Sequence, residues 1–205
     1  MFIELAEFLR CPADHAPAYC VITPAEMEDR GVLSGVVGCP ICEAEYPITD
    51  GVVRFGADPL LGRGSRSDDL TVEEMPSAHS IWNLLALGSP GGYVILLGSP
   101  ARLVEALAAE MDGIHYIGVN APPEVQGSAE LSLLTATASI PLRSDICRGV
   151  VVGREYAEQP WLGEGARVTL EGGRMVVAKE DVEVTSMNCL AVGQGLWVGD
   201  KKRAR

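Results

Sequence analysis

The pair Cys39-Pro-Ile-Cys42 constrains this chain most, because two cysteines at that spacing either close around a metal or work as a redox couple. A redox pair wants a helix directly behind it to lower a thiol pKa. Here "EAEYPITDGVVRF" follows, which is strand-like and turns at Asp50-Gly51, so the metal reading is preferred. The first residues, "MFIELAEFLR", lack a secretory pattern, which makes a cytoplasmic location the expectation. In that reducing setting six cysteines are not a disulfide framework.

A tetrahedral site needs further donors, and "LRCPADHAPAYC" lies upstream. Cys11 precedes a proline as Cys39 does, and two Cys-Pro knuckles are the layout of a zinc ribbon. The second cysteine of the first knuckle is replaced by Asp14. Three residues compete for the fourth place: His15, Asp14 and Cys20, with His15 preferred as an ordinary zinc donor. The expected metal set is therefore Cys11, His15, Cys39 and Cys42, holding zinc.

These residues carry a resemblance. "FIELAEFLRCP", the Cys-x-x-Cys and "YPITDGVVRF" resemble the small zinc-ribbon family that includes the activator subunit of tRNA and protein methyltransferases. Its Tyr-Pro-Ile-x-x-Gly-Ile-Pro ending survives as Tyr46, Pro47, Ile48 and Gly51, with Val53 in place of the last proline. The resemblance implies a structural platform that stabilises a partner.

The stretch "GADPLLGRGSRSDDLTVEEMPSAH" mixes Gly, Pro, Ser and charge without apolar periodicity and reads as a connector. Its acidic pairs Asp68-Asp69 and Glu73-Glu74 read as a solvated charge run. The expected division is a small zinc-ribbon-like α+β module at 1–57, a linker at 58–76 and a second unit at 77–205.

That second unit opens on a helix behind Ser77 and then alternates. "GYVILLG" is a buried-strand run, "ARLVEALAAEM" is helical, and "IHYIGVN" is strand-like, which makes a parallel βαβ unit. "AELSLLTATA", "GVVVG" and "GGRMVVAK" continue the series, and "VEVTSMNCLAV" with "GLWVGDKK" closes it as an antiparallel pair. An α/β fold with a doubly wound, mostly parallel sheet is expected.

Order and spacing resemble the Rossmann-like S-adenosylmethionine-dependent methyltransferases, with "SIPLRSDICRGVVV" and "EGGRMVV" as the matching segments. By that resemblance the cofactor would meet Gly98 and Ser99 after the first strand, Asn120 at the end of the second, and Ser139 and Ile140, with Ala138, on the adenine side. Two glycines of the family's loop are missing, and Asn120 replaces the acidic residue that holds the ribose. Gly153, Arg154 and Glu155 align with the place where many members put catalytic polar residues. The resemblance implies a methyltransferase homologue with a degenerate cofactor site; the alternative is a non-catalytic scaffold for a protein partner or a second copy.

His79 and His115 lack an evident partner in the sequence and read as structural, while Cys147 and Cys189 read as small buried hydrophobes. A net charge of -12 disfavours nucleic acid, and the terminal "KKRAR" reads as a solvated tail. No apolar run is long enough for a membrane span.

Overall fold

A computed structural model describes residues 1–59 and 76–203. The linker expected at 58–76, with its acidic pairs, lies outside the described residues apart from its ends, as do the last two residues of "KKRAR".

Strand pairing organises everything else. The apolar N-terminal segment forms a 3-10 turn at Ile3–Phe8. Four antiparallel strands follow: β1 (Val21–Glu28), β2 (Gly31–Gly38), β3 (Glu45–Thr49) and β4 (Val52–Arg54). Asp50 and Gly51 join β3 to β4 with φ of 52° and 73°, the two positive values that a tight two-residue hairpin turn requires.

Helix α1 (Ala78–Leu85) starts behind Ser77, whose side chain accepts from the Ser80 N–H. Next come β5 (Tyr93–Leu97), α2 (Val104–Ala108), β6 (His115–Val119), β7 (Leu131–Thr135), β8 (Cys147–Val152), α3 (Trp161–Val168) and β9 (Thr169–Val177). β10 (Met187–Gly193) and β11 (Leu196–Lys201) finish the chain as an antiparallel hairpin. The helix expected over "ARLVEALAAEM" divides into a 3-10 turn at Ser99–Leu103 and the single turn and a half of α2.

The eleven strands of the described residues join one sheet in the order β1-β2-β3-β4-β7-β6-β5-β8-β9-β11-β10. From β4 to β9 every pairing is parallel, and β11 closes against β9 in the antiparallel sense. The α/β, mostly parallel sheet with an antiparallel closing hairpin is thus present. What the sequence did not announce is the seam: β4 of the N-terminal segment pairs parallel with β7, Val53 opposite Leu134.

Two apolar layers cover the sheet. On one face Leu5, Leu9, Val32, Val37, Ile48 and Val53 are buried in the same cluster as Ile95, Leu134, Val150 and Ala166. On the other, α1 and α2 bring Ile81, Leu85, Val104 and Leu107 against Val94, Leu96, Tyr116 and Val151. The 120–130 and 136–146 connectors contain no helix, so the winding is thinner around β7 than around β5. Among the described residues no helix is long and apolar enough to cross a membrane.

Cys147 is fully buried, as expected, but Cys189 is exposed. The expectation for Cys189 came from its apolar neighbours; β10 is an edge strand with one partner, so those neighbours are themselves exposed.

Candidate functional sites

The first site grows out of the N-terminal knuckles. Cys11 is placed by its N–H on Ala18 O (3.3 Å), and Cys39 by its N–H on Ala44 O (2.9 Å), with Glu43 at φ 57° completing the second turn. These turns bring Cys11, His15, Cys39 and Cys42 together, their donor atoms all within 4.8 Å of one another. The separations are 3.7 Å for Cys11 Sγ to Cys42 Sγ, 3.3 Å for His15 Nε2 to Cys11 Sγ, and 3.5 Å for His15 Nε2 to Cys39 Sγ. Tetrahedral zinc with ordinary bond lengths asks for edges of about 3.5–3.8 Å between such donors; the three separations just given lie close to that, and three sulfurs with one nitrogen are a donor set that suits the ion.

Neighbouring groups favour that role. His15 Nδ1 lies 2.6 Å from Ala16 O, a contact that fixes the proton on Nδ1 and leaves the Nε2 lone pair facing the sulfurs. Tyr46 OH sits 3.2 Å from Cys11 Sγ. Burial opposes ionisation of Cys39, yet hydrogen bonds from the Cys42 and Ile41 backbone N–H groups and from the Cys42 and Cys11 side chains together draw the thiol down to about 6. The two other sequence candidates fall outside the group. Asp14 is exposed, and Cys20 is a buried neighbour whose thiol burial pushes up to about 12.

The second site is the carboxyl end of β5, β6 and β8, where doubly wound sheets receive ligands. Gly98 leaves β5 at φ 77°, and a side chain there would run into Glu155 and the Tyr156 ring. Glu155, just past β8, turns inward: Oε1 accepts the Ser99 N–H at 2.5 Å and Oε2 accepts the Ser99 hydroxyl at 3.1 Å. The carboxylate thus caps the turn that Pro100 opens.

Asn120, in the left-handed region at φ 50°, is buried and bound twice to one residue. Its Nδ2 donates to Ala136 O (2.9 Å) and its Oδ1 accepts from Ala136 N (2.8 Å). Tyr156 also reaches it, donates to Asp58 Oδ1 at 2.7 Å, and packs edge-on against Trp161. Ile140 is buried with its N–H on Glu164 (2.8 Å), while Ser139 is half-buried and Ala138 exposed.

S-adenosylmethionine is the cofactor that the resemblance implies here, and Gly98, Ser99 and Asn120 are indeed neighbours. However, the polar groups that would grip it are engaged within the chain: the Ser99 N–H and hydroxyl by Glu155, both ends of the Asn120 amide by Ala136. Sequence reasoning placed Glu155 at the right strand end but not its direction, and it missed Tyr156 and Asp58. An open cavity of about 600 Å³ lies beside this site, at the ends of β4, β6 and β7, with Arg54, Asp58 and Asn120 in its wall.

Both histidines acquire partners from distant segments. His79 pairs with Glu110 at the surface, and His115 Nε2 lies 2.9 Å from Ser132 Oγ, which also accepts the Phe2 N–H. Burial, then the Met1 ammonium, lowers His115 to about 4. Because the folded value is below the unfolded one, the stabilisation is complete above about pH 6.5 and is lost as pH falls toward 4. The loss should reach about 2–3 kcal/mol, and chemical denaturation of wild type against His115→Gln across that window should show the difference. Parallel pH profiles for the two proteins would refute it.

No family model matches the chain, and no curated protein does. Among solved structures it is similar to the complex of the Haloferax volcanii Trm112 methyltransferase activator with a protein described as a methyltransferase: 22% identical, 48% of this chain and 50% of that one, TM-score 0.39. It is similar to the YcgJ protein from Bacillus subtilis, 19% identical over 51% and 52% of the chains with a TM-score of 0.39. The antibiotic-resistance methyltransferase Kmr is 13% identical over 63% and 95%, TM-score 0.44. The chain spans about half the length of the first two. These likenesses are partial, and the strand order itself carries the assignment of the fold.

Proposed function

We propose that this chain keeps a methyltransferase-type sheet without methyl transfer and serves as a zinc-clamped platform for a protein partner. One observation carries the reading: the Glu155 carboxylate occupies the Ser99 donors in the loop that a cofactor would have to enter. An anionic side chain there opposes an incoming carboxylate or phosphate, and a buried amide already paired at both ends offers nothing to a ribose. The Cys11, His15, Cys39 and Cys42 group would hold zinc in a structural role, since four protein donors leave no open position for a substrate.

Titration calorimetry with S-adenosylhomocysteine is the test. Silence up to millimolar ligand is expected; micromolar binding by the wild-type chain would overturn the platform reading. A second reading has one observation in its favour, the cavity beside Asn120. There Glu155 is a latch that swings out, the cofactor enters, and methyl transfer survives. Under that reading Glu155→Ala gains micromolar affinity, whereas under the first it stays silent because Asn120 remains tied to Ala136.

A further inference from the structure

All six cysteines are free, and exposure separates them: Cys11, Cys20, Cys39 and Cys147 are buried, whereas Cys42 and Cys189 are exposed. Oxidation to a disulfide asks first for access and then for a second thiol beside the one that reacts. Cys189 meets the first condition alone. It sits on the edge strand β10 with its Sγ toward Ala191 O at 3.9 Å, and the other five cysteines are buried or belong to the knuckles. Cys42 meets both, because Cys11 Sγ lies 3.7 Å from its own.

The knuckles make Cys11 the better partner for Cys42 than Cys39 is. Cys39 is 3% exposed and shares one tight turn with Cys42, closed by its own N–H on Ala44 O (2.9 Å) and by the Glu43 N–H on its carbonyl (3.0 Å). A bond from Cys42 to Cys39 would have to form inside that turn. A bond to Cys11 joins one turn to the other and leaves both closed, taking over the tie that a metal otherwise supplies.

We infer that Cys42 is an oxidation site resolved by Cys11, through which a hydroperoxide unloads the metal from a segment that stays folded. The inference rests on the zinc-clamped reading and adds a regulation to it. The Cys42 thiolate attacks the peroxide, forming an S–O bond as the O–O bond breaks, and the departing hydroxide takes a proton to become water. Cys11 Sγ then displaces the second hydroxide from the Cys42 sulfenic acid, an S–S bond forms, and another proton makes the second water. Each sulfur gives up one electron, and one peroxide is reduced to two waters. The site has then lost two of its four donors and lets go of the ion. An isolated zinc finger would unfold at that point. Here Leu5, Leu9, Val32, Val37 and Val53 remain buried in the core they share with the sheet, and β4 remains paired with β7, so a dithiol can reverse the change.

The test is to add hydrogen peroxide to the full-length, zinc-loaded protein in the presence of a chromogenic zinc chelator. Release of one zinc per chain is expected, with a Cys11–Cys42 disulfide in the peptide map, a mass about 2 Da below that of the reduced metal-free chain, and unchanged circular dichroism. Dithiothreitol followed by zinc should restore the starting state. The double variant Cys20→Ser/Cys189→Ser should release zinc as the wild type does. Zinc retained while Cys189 is oxidised overturns the inference, as do a Cys39–Cys42 or Cys20 disulfide, sulfinic acid at Cys42 without a disulfide, or unfolding that accompanies release. Zinc content before the oxidant is added separates the two claims: a protein that holds none and takes none up overturns the zinc reading and this inference together.

Discussion

Exchanging Cys39 for serine is expected to remove nearly all of one bound zinc per chain and to lower stability by about 3–5 kcal/mol. Cys39 is the more enclosed of the two donors that would face the ion from the second knuckle, and its thiol is already drawn toward ionisation by hydrogen bonds from backbone N–H groups and neighbouring thiols. A structural zinc in an isolated finger peptide supplies about 10–16 kcal/mol, and such a peptide unfolds without it. This ribbon is not isolated: Leu5, Leu9, Val32, Val37 and Val53 are fully buried in a cluster shared with β5, β7 and β8. The chain should therefore lose the metal and remain folded. Metal content by plasma mass spectrometry, set beside urea midpoints, checks both halves of the claim. Cys20→Ser and Asp14→Ala supply the contrast, since both residues lie outside the donor group and should leave zinc content unchanged. A wild-type protein purified without metal, and indifferent to added zinc, would sink the assignment.

The gathering of Cys11, His15, Cys39 and Cys42 could be read from the sequence because cysteine, histidine and proline at short spacing leave few arrangements, and local turns do most of the folding there. The strands were legible for a similar reason: "GYVILLG" and "GVVVG" are continuous apolar runs, and only burial on both faces makes use of them. Three things had no local signature. The pairing of β4 with β7 joins Val52–Arg54 to residues about eighty positions away, and a three-residue strand leaves no periodicity. The inward turn of Glu155 is a matter of direction, which composition does not encode. The partners of His115 and His79 come from Ser132 and Glu110, distant in the chain and near only after the sheet closes. Cys189 shows the converse error: an apolar stretch is buried only if something covers it, and among the described residues nothing pairs with the outer side of β10.

That unannounced seam leads to the other large effect. Ile48→Ala is expected to shift the unfolding of the whole chain, although Ile48 lies in β3, within the N-terminal segment. Ile48 is 3% exposed and belongs to the cluster that also contains Ile95, Leu134 and Val150, so removing its side chain leaves a void costing about 2–5 kcal/mol. The chain carries its own reporter, because the three tryptophans, Trp82, Trp161 and Trp197, all lie after residue 77. If residues 1–57 and 77–205 unfolded as independent units, tryptophan fluorescence would not notice the substitution. With β4 hydrogen-bonded to β7 and one core on both sides of the seam, the tryptophan-detected midpoint should fall by roughly 5–15 °C in a single transition that coincides with circular dichroism. An unmoved fluorescence midpoint would mean that the seam transmits no stability, and that the N-terminal segment rests on the sheet without being part of its cooperative unit.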